Sequence, residues 1–310
     1  MRILITGLSS FTGAWFARQL AEEGLDVVGT LRRSEASYDP LSQMRIGMGR
    51  MAGVEVVEGV SYGSSALLSL VDRGFDIIGW HGADVGDYKN PNYDAIKAAH
   101  ASTLGMSDIC ARAKAAGTRA ILFTGTVAEP FGGLGDEVGR AASPYGLSKM
   151  ISWSVVRHHA EQADLAVAKF IIPNPFGRYE QERFCTYLVR QWAAGLTPEV
   201  RTPAYVRDNI PIDKCARAYA AFVTSELRDG ICRPSGYVGT QGDFTSRFAR
   251  EVGTRLNLPT PFVLTPQTEF QEPFMRVNSQ PGVAEWNETA FWDDLADYYA
   301  EHVLKVGTAH

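Results

Sequence analysis

Short apolar runs alternate with helix-like stretches through the first half of the chain, and this alternation restricts the fold more than any other feature. The runs ILIT (3–6) and DVVGTL (26–31) flank a helical pattern that ends at Gly24. VEVVEG, DIIGWHGA, AILFTGT and AVAKFIIPN follow, and helix-like segments, including one continuous stretch over 95–117, separate them. The pattern predicts an α/β fold of the Rossmann type: a doubly wound parallel sheet with helices on both faces.

The pattern changes after about residue 173, where proline, arginine and aromatic residues become frequent. Helical stretches remain at 213–227, 245–256 and 288–306. We interpret 1–173 as the sheet domain and 174–310 as a smaller mixed α/β region that covers the ligand edge of the sheet. The segment 212–226 could return to the first domain.

Composition narrows the class of protein. The chain has 310 residues, 45% hydrophobic and 21% charged, with a net charge of -5, which gives no footprint for nucleic acid. No apolar run approaches the roughly 18 residues that span a bilayer, and the apolar start MRILITG is too short for a signal peptide. We therefore expect a cytoplasmic protein with no membrane contact.

The cysteines indicate neither zinc nor another metal site, because none forms a CxxC pair and no histidine cluster accompanies them. We expect buried free thiols at Cys110, Cys185, Cys215 and Cys232.

A glycine-containing turn, TGLSSFTG (6–13), lies between the first strand and the first helix. Gly7 permits a tight turn, and Gly13 allows the helix to pack closely on the strand. Free N–H groups at the helix N-terminus would face a pyrophosphate. Ser10 stands where the usual dinucleotide pattern has its middle glycine.

The end of the second strand, GTLRRS (29–34), favours NADP(H) over NAD(H). Leu31 stands where an acidic residue would bind the ribose 2′-hydroxyl of NAD. Arg32 and Arg33 follow, and guanidinium groups suit a 2′-phosphate. The alternative is that both arginines are solvated in a loop.

The segment SPYGLSK (143–149) predicts a helix start. Ser143 is a good N-cap and Pro144 suits the first helical position. Tyr145 and Lys149 then lie one turn apart on the same face. Taken alone, this spacing favours a solvated surface pair, because such pairs are common on exposed helices.

Together these features resemble the extended short-chain dehydrogenase/reductase family, which contains nucleotide-sugar epimerases, dehydratases and reductases. The matching features are the glycine turn, the basic strand end, FTGT (123–126) and the Tyr145/Lys149 pair. KFIIPNPFG (169–177) and VRDNIPIDKCARAY (206–219) are similar to later motifs of that family. The resemblance spans residues 1 to about 226.

The resemblance implies an enzyme whose catalytic residues are Thr126, Tyr145 and Lys149. Tyr145 would be the acid/base, and Lys149 would bind the nicotinamide ribose and lower the tyrosine pKa from about 10. Thr126 would hydrogen-bond the reacting oxygen, with Thr124 as the second candidate because it points to the same side of the strand.

The resemblance also implies binding residues for an NADP(H) cofactor and for a nucleoside-diphosphate sugar. Asn174 and Arg207 would contact the substrate diphosphate; Arg207 could instead form a surface pair with its neighbouring aspartate, and Arg183 could be a solvated residue at a helix cap. The implied cofactor contacts are Gly7, Ser10, Phe11, Thr12, Gly13, Arg32, Arg33, Gly82, Ala83, Tyr145, Lys149 and Pro173. The implied substrate contacts are Thr126, Asn174, Arg183 and Arg207.

One departure from the family bears on the reaction. Sugar 4,6-dehydratases carry an extra acid/base pair directly after the Ser/Thr, where this chain has Val127 and Ala128. Glu129 follows and would need a one-residue shift to serve; stabilising a local turn is its simpler role. We therefore expect an NADP(H)-dependent oxidoreductase that reduces a nucleotide-linked 4-keto-deoxyhexose.

The alternatives are a nucleotide-sugar 4-epimerase, a 4,6-dehydratase that uses Glu129, and a non-catalytic NADP-binding sensor. The sensor is the weakest of these, because it has no use for Tyr145 and Lys149 in this register. The family resemblance further implies a homodimer built through the Tyr145 helix and the helix before it.

Overall fold

A seven-stranded parallel sheet forms the centre of the computed structural model, which describes residues 1–83, 92–136, 139–225, 227, 230–280 and 285–305. Its strands are β1 (Arg2–Ile5), β2 (Asp26–Thr30), β3 (Glu55–Val57), β4 (Ile77–Trp80), β5 (Ala120–Thr126), β7 (Ala166–Ile172) and β11 (Ile231–Cys232). They lie in the order β11-β7-β5-β4-β1-β2-β3, with every neighbouring pair parallel. The winding reverses between β1 and β4, so the predicted doubly wound α/β fold is confirmed.

Helices cover both faces of this sheet. Those of the first half are α1 (Phe11–Glu22), α2 (Pro40–Met51), α3 (Ser65–Val71), α4 (Ala95–Thr103), α5 (Met106–Ala115) and α6 (Pro144–Gln162). Successive strand residues point to opposite faces. Ile3 and Ile5 accordingly enter the core under α1, whereas Leu4 enters the core under α3, α5 and α6.

A smaller mixed region follows, as predicted. Its helices are α7 (Phe184–Ala193), α8 (Ile212–Val223), α9 (Gln241–Leu256) and α10 (Glu288–Tyr299). A five-stranded mixed sheet contains β6 (Leu134–Gly135), β8 (Asn174–Phe176), β10 (Val206–Pro211), β12 (Tyr237–Thr240) and β14 (Met275–Val277), while β9 (Glu199–Val200) pairs with β13 (Val263–Leu264). Since β6 lies in the loop that leaves β5, that loop joins the two sheets.

Two contacts bear on the division of the chain. The Phe16 ring of α1 stacks on Tyr219 of α8 with 4.1 Å between ring centroids. Strand β11 pairs in parallel with β7 of the large sheet. The first contact supports our proposal that 212–226 returns to the first domain, and the second places residues 231–232 in the large sheet as well. We keep the main boundary at residues 173 and 174 as a proposal.

The structure differs from the sequence-based expectation in two helices. Helix α2 was not predicted; the Asp39 carboxylate caps it by accepting from the Ser42 N–H at 3.0 Å. The continuous helix predicted over 95–117 was wrong, because the chain breaks into α4 and α5 at Gly105, which has φ +74°. A Cβ there would also lie 3.1 Å from the Gly63 Cα, so a glycine is required at this junction.

All four cysteines are free thiols, as expected. Cys110, Cys185 and Cys215 are buried, and Cys232 is half-buried.

Candidate active site

The glycine turn between β1 and α1 is as tight as its sequence predicts. Gly7 has φ +81°, and a Cβ there would lie 2.7 Å from the Gly82 Cα across the sheet. A Cβ on Gly13 would lie 2.5 Å from the Gly7 carbonyl oxygen. The turn therefore requires glycine at both positions, and it brings the carboxyl ends of β1 and β4 together at the reversal point of the sheet.

Ser10 suits the position where the usual pattern has glycine because it caps α1. Its hydroxyl accepts from the Gly13 N–H at 3.1 Å and donates to the Gly7 carbonyl at 2.8 Å. The first-turn N–H groups of Phe11 and Thr12 have no acceptor within the helix. They are thus donors for an anionic group, and the turn fits the pyrophosphate of a dinucleotide.

His81, which no sequence motif singles out, links this turn to strand β5. Its Nε2 lies 3.1 Å from both the Ser10 and the Thr12 hydroxyls, and its Nδ1 lies 3.1 Å from the Thr124 hydroxyl. Burial, followed by the charge of Lys149, lowers the pKa of His81 to about 3. The imidazole is therefore neutral at physiological pH and acts as a fixed bridge.

This bridge predicts a pH dependence of stability. An unfolded histidine takes up a proton below pH 6.5, whereas His81 in the folded protein does so only near pH 3. The free energy of unfolding should therefore fall as the pH drops below 6.5, by up to about 1.4 kcal/mol per pH unit. Between pH 6.5 and 5, the free energy of unfolding measured by urea titration should fall by about 1.6 kcal/mol less in His81→Gln than in the wild type.

A matched control for this prediction is His100→Gln, which alters an exposed histidine of α4. We expect it to keep the wild-type slope. A His81→Gln slope equal to that of the wild type would contradict the assignment of this pH dependence to the buried imidazole.

The end of β2 carries no acidic side chain. Strand β2 ends at Thr30, Leu31 is buried, and Arg32 and Arg33 are exposed. The Tyr38 hydroxyl accepts from the Arg32 N–H at 3.1 Å, and the Arg33 guanidinium lies 4.6 Å from the centre of the Tyr38 ring. Tyr38 thus fixes a short basic loop beside the nucleotide turn.

At the end of β5, Thr126 is accessible to a ligand and Thr124 is buried. Thr124 is buried and its hydroxyl contacts His81, whereas Thr126 is half-exposed. The Glu129 carboxylate closes the turn by accepting from the Thr126 N–H at 2.7 Å. This arrangement favours Thr126 over Thr124 for a contact with substrate, and it gives Glu129 the turn-stabilising role rather than that of an exposed acid.

Helix α6 begins as the sequence predicts. The Ser143 hydroxyl accepts from the Gly146 N–H at 3.1 Å, and Pro144 occupies the first turn. Tyr145 is half-buried, while Lys149, one turn later, is only 4% exposed. The lysine ammonium lies 4.4 Å from the centre of the Phe123 ring of β5, so it points toward the sheet rather than into solvent.

Burial is the main cause that lowers the pKa of Lys149 to about 8. Glu129 acts in the opposite direction and Lys169 lowers the pKa further. An ammonium so close to its titration point is typical of a functional site and untypical of a solvated helix surface.

Gly146 brings the Tyr145 turn and the Thr126 loop into direct contact. A Cβ on Gly146 would lie only 2.0 Å from the Ala128 carbonyl oxygen. That carbonyl also accepts from the Ala142 N–H at 2.9 Å. The structure thus places Thr126, Tyr145 and Lys149 on adjoining elements at the carboxyl end of β5.

Pro173 and Asn174 lie where the large sheet leads into the smaller one. Pro173 joins β7 to β8, and Asn174 is the first residue of β8. Asn174 is paired in register with Asn209 of β10 and is half-exposed. Gly82 and Ala83 follow β4 at the same edge, immediately before the undescribed residues 84–91.

Arg207 is more enclosed than the sequence suggests. One terminal nitrogen of its guanidinium donates to the Pro273 and Phe274 carbonyls at 3.1 and 3.0 Å, and the other donates to Glu272 at 3.2 Å. Its partner is thus Glu272 and not the neighbouring Asp208. Arg276 donates to the same Glu272 oxygen at 3.1 Å, so a diphosphate would have to take the place of this carboxylate.

Arg183 lies further along the chain, at the N-terminal boundary of α7, where its side chain makes no capping bond. It is exposed, and its charge acts on the buried Glu180. Burial nevertheless raises the pKa of Glu180 to about 8. The geometry gives Arg183 less support as a substrate residue than Asn174.

Within the described residues, no group of three or more His, Cys, Asp or Glu side chains could hold a metal ion. In the same part of the chain, no helix is long and apolar enough to cross a membrane.

Comparison with known proteins gives the family. The sequence model described as "NAD dependent epimerase/dehydratase family" matches residues 3–230. The chain belongs to this family. It is therefore an enzyme of a family that uses an NAD(P) cofactor. No curated protein matches the chain.

Solved structures of the same fold cover nearly the whole chain. A UDP-glucuronic acid 4-epimerase from Bacillus cereus, in complex with UDP-glucuronic acid and NAD, is 14% identical with a TM-score of 0.74, covering 97% of this chain and 99% of that one. A UDP-glucose 4-epimerase from Thermotoga maritima with UDP-glucose is 15% identical, with TM-score 0.74 and the same coverage. A dTDP-glucose 4,6-dehydratase from Streptomyces venezuelae with NAD bound is 19% identical, with TM-score 0.73, covering 97% and 98%.

Proposed function

We propose that this member of the epimerase/dehydratase family acts on a nucleoside-diphosphate sugar and inverts its C4 centre by oxidation followed by reduction. The observation that carries the proposal is the placing of Tyr145 and Lys149 at the start of α6, against the Thr126 loop. The 4-epimerases among the similar structures favour this reaction over the reduction that we expected from the sequence.

Three residues would perform the proton chemistry. Tyr145 would take the proton from the sugar 4-hydroxyl and return it later in the cycle. The Lys149 ammonium favours the phenolate that this step needs. The Thr126 hydroxyl would bind the same sugar oxygen and orient it. A bound nicotinamide would accept the hydride in the oxidation and return it in the reduction.

Dehydration has less support. Val127 and Ala128 cannot move protons, and the Glu129 side chain has no exposed surface. Its two oxygens are engaged by the Thr126 N–H and by Lys169. An acid enclosed in this way has no path to C5 or C6 of a sugar.

Reduction of a 4-keto nucleotide sugar is the second candidate, and Arg32 and Arg33 favour it. A reductase consumes its cofactor at each turnover and exchanges it, which suits NADPH. An epimerase regenerates its cofactor within each cycle. The missing acid at Leu31 thus supports NADP(H) and, through it, reduction.

The two reactions are separable by one assay. The protein would be incubated with UDP-glucose, UDP-glucuronic acid and a 4-keto-6-deoxy nucleotide sugar, each with NAD or NADPH. A 4-epimer formed without net cofactor change supports epimerisation, whereas stoichiometric loss of NADPH supports reduction. Binding without turnover of any of these would contradict both and support a sensor.

Cofactor choice gives a further prediction. The Arg32→Ala/Arg33→Ala variant should weaken NADPH binding at least about tenfold, because each lost hydrogen bond to a charged phosphate costs about 1.5–3 kcal/mol. The affinity for NADH should change little, since NADH has no 2′-phosphate. Fluorescence titration of both cofactors measures this. Tighter binding of NADH than NADPH by the wild type would contradict the NADP(H) proposal.

The same proposal assigns roles to the predicted substrate residues. Asn174 and Arg207 would hold the diphosphate once Glu272 moves aside, and Arg183 would be a further, weaker contact. A homodimer through α4, α5 and α6 stays a prediction, which light scattering coupled to size-exclusion chromatography would check.

A further inference from the structure

A buried ion pair lies directly behind the Thr126 loop. The Lys169 ammonium donates to the Glu129 carboxylate at 2.6 Å, and the two side chains are 7% and 0% exposed. The second Glu129 oxygen accepts from the Thr126 N–H at 2.7 Å. A Cβ on Gly125 would lie 2.6 Å from both the Glu129 Oε1 and the Lys169 Cε, so the pair is packed tightly against β5.

Lys149 belongs to the same enclosed group of charges. Its ammonium lies 4.4 Å from the Phe123 ring centre, and that of Lys169 lies 5.1 Å from the Trp153 ring centre. Both Glu129 and Lys169 act electrostatically on Lys149. The site therefore encloses two ammonium groups and one carboxylate, and the carboxylate compensates both.

Other titratable groups near Lys149 add no further charge to these two ammonium groups and one carboxylate. His81, after β4, stays neutral because its pKa is about 3. Tyr145 is on the same helix, and Tyr93 contacts the helix through a 3.4 Å approach of its hydroxyl to Ser148. Among the described residues whose charge acts on Lys149, Glu129 alone is acidic.

We propose that Glu129 and Lys169 are positioning residues of the active site. The Glu129 carboxylate fixes the Thr126 loop and favours the protonated form of Lys149. The Lys169 ammonium partly offsets the effect of the Glu129 charge on Lys149. Burying an ion pair is costly and adds little net stability compared with apolar side chains of the same volume. A purely structural role therefore explains the pair poorly. Control of Lys149 explains why this charged pair lies directly behind the loop that carries Thr126.

This inference rests on the proposed function of Lys149, but it is tested without substrate. Protein labelled with ¹³C at the lysine ε-carbons would be titrated by NMR, with the Lys149 signal assigned through Lys149→Arg. Relative to the wild-type value of about 8, the pKa of Lys149 should fall by about one unit or more in Glu129→Gln and rise in Lys169→Met. In the double variant Glu129→Gln/Lys169→Met both charges are absent, so the pKa should return toward the wild-type value.

The opposite signs separate control of charge from a structural role. Loss of packing would lower the stability of all three variants, but it would not shift the pKa of Lys149 down in one single variant and up in the other. Unchanged Lys149 titrations, or shifts of the same sign in the single variants, would overturn the inference. If Glu129→Gln does not fold, an unchanged titration in Lys169→Met would also overturn it, and the upward shift would support it.

Activity assays then test the link to the reaction. The alkaline limb of kcat/KM should move to lower pH in Glu129→Gln and to higher pH in Lys169→Met, because Lys149 must carry its proton. NMR shifts without any turnover would leave the charge relation standing and refute the proposed function instead.

Discussion

Replacing Tyr145 with phenylalanine is expected to lower kcat by about 10²- to 10⁴-fold, the contribution that a positioned acid/base usually makes. The substitution removes one hydroxyl from a half-buried ring in the first turn of α6. The helix cap at Ser143 and the contact between Gly146 and Ala128 remain. Stability and cofactor affinity should therefore change little, and the loss should appear in kcat rather than in cofactor binding.

Tyr187→Phe is the matched control, since it removes a hydroxyl from an exposed tyrosine of α7. It should leave kcat, the cofactor dissociation constant and the melting temperature at their wild-type values. Steady-state assays with the substrate found by the product analysis provide the comparison. If Tyr145→Phe kept the wild-type kcat, the Tyr145 hydroxyl could not be the acid/base, and the proposed mechanism would be wrong.

The strands of the large sheet could be predicted because parallel strands covered on both faces are continuous apolar runs. AILFTGT (120–126) matches β5 residue for residue. Helix α2 could not be predicted in the same way, since its buried Ile46 and Met48 lie in a stretch rich in glycine and polar residues. Its only local signals were Asp39 and Pro40 at its start.

Features of the site that lie within one short segment were predictable. The Gly7–Gly13 turn and the Ser143 cap both arise from neighbouring residues. Contacts between distant segments were not. Nothing local indicates that His81 bridges Ser10 and Thr124, or that Glu129 pairs with Lys169 forty positions away. The same limit explains Arg207, whose partner Glu272 is 65 positions further along the chain.

Gly146→Ala adds only one methyl group, but we expect it to lower kcat strongly. A Cβ at this position would lie 2.0 Å from the Ala128 carbonyl oxygen and 2.5 Å from its carbon, both in the backbone. The first turn of α6 would have to move away from the Thr126 loop and carry Tyr145 with it. A displacement of about 1 Å can cost about 10²-fold in rate. We also expect a stability loss of about 1–3 kcal/mol from overpacking.

Gly47→Ala separates this effect from the general consequences of replacing a helical glycine. Gly47 lies inside α2, and a Cβ there would have no neighbour within 4 Å. Alanine is favoured over glycine in a helix by up to about 1 kcal/mol, so this variant should be as stable as the wild type or more so, with unchanged kcat. Helix propensity favours alanine over glycine at both positions. If Gly146→Ala kept the wild-type kcat and melting temperature, the close contact between α6 and the Thr126 loop could not be what aligns the catalytic residues.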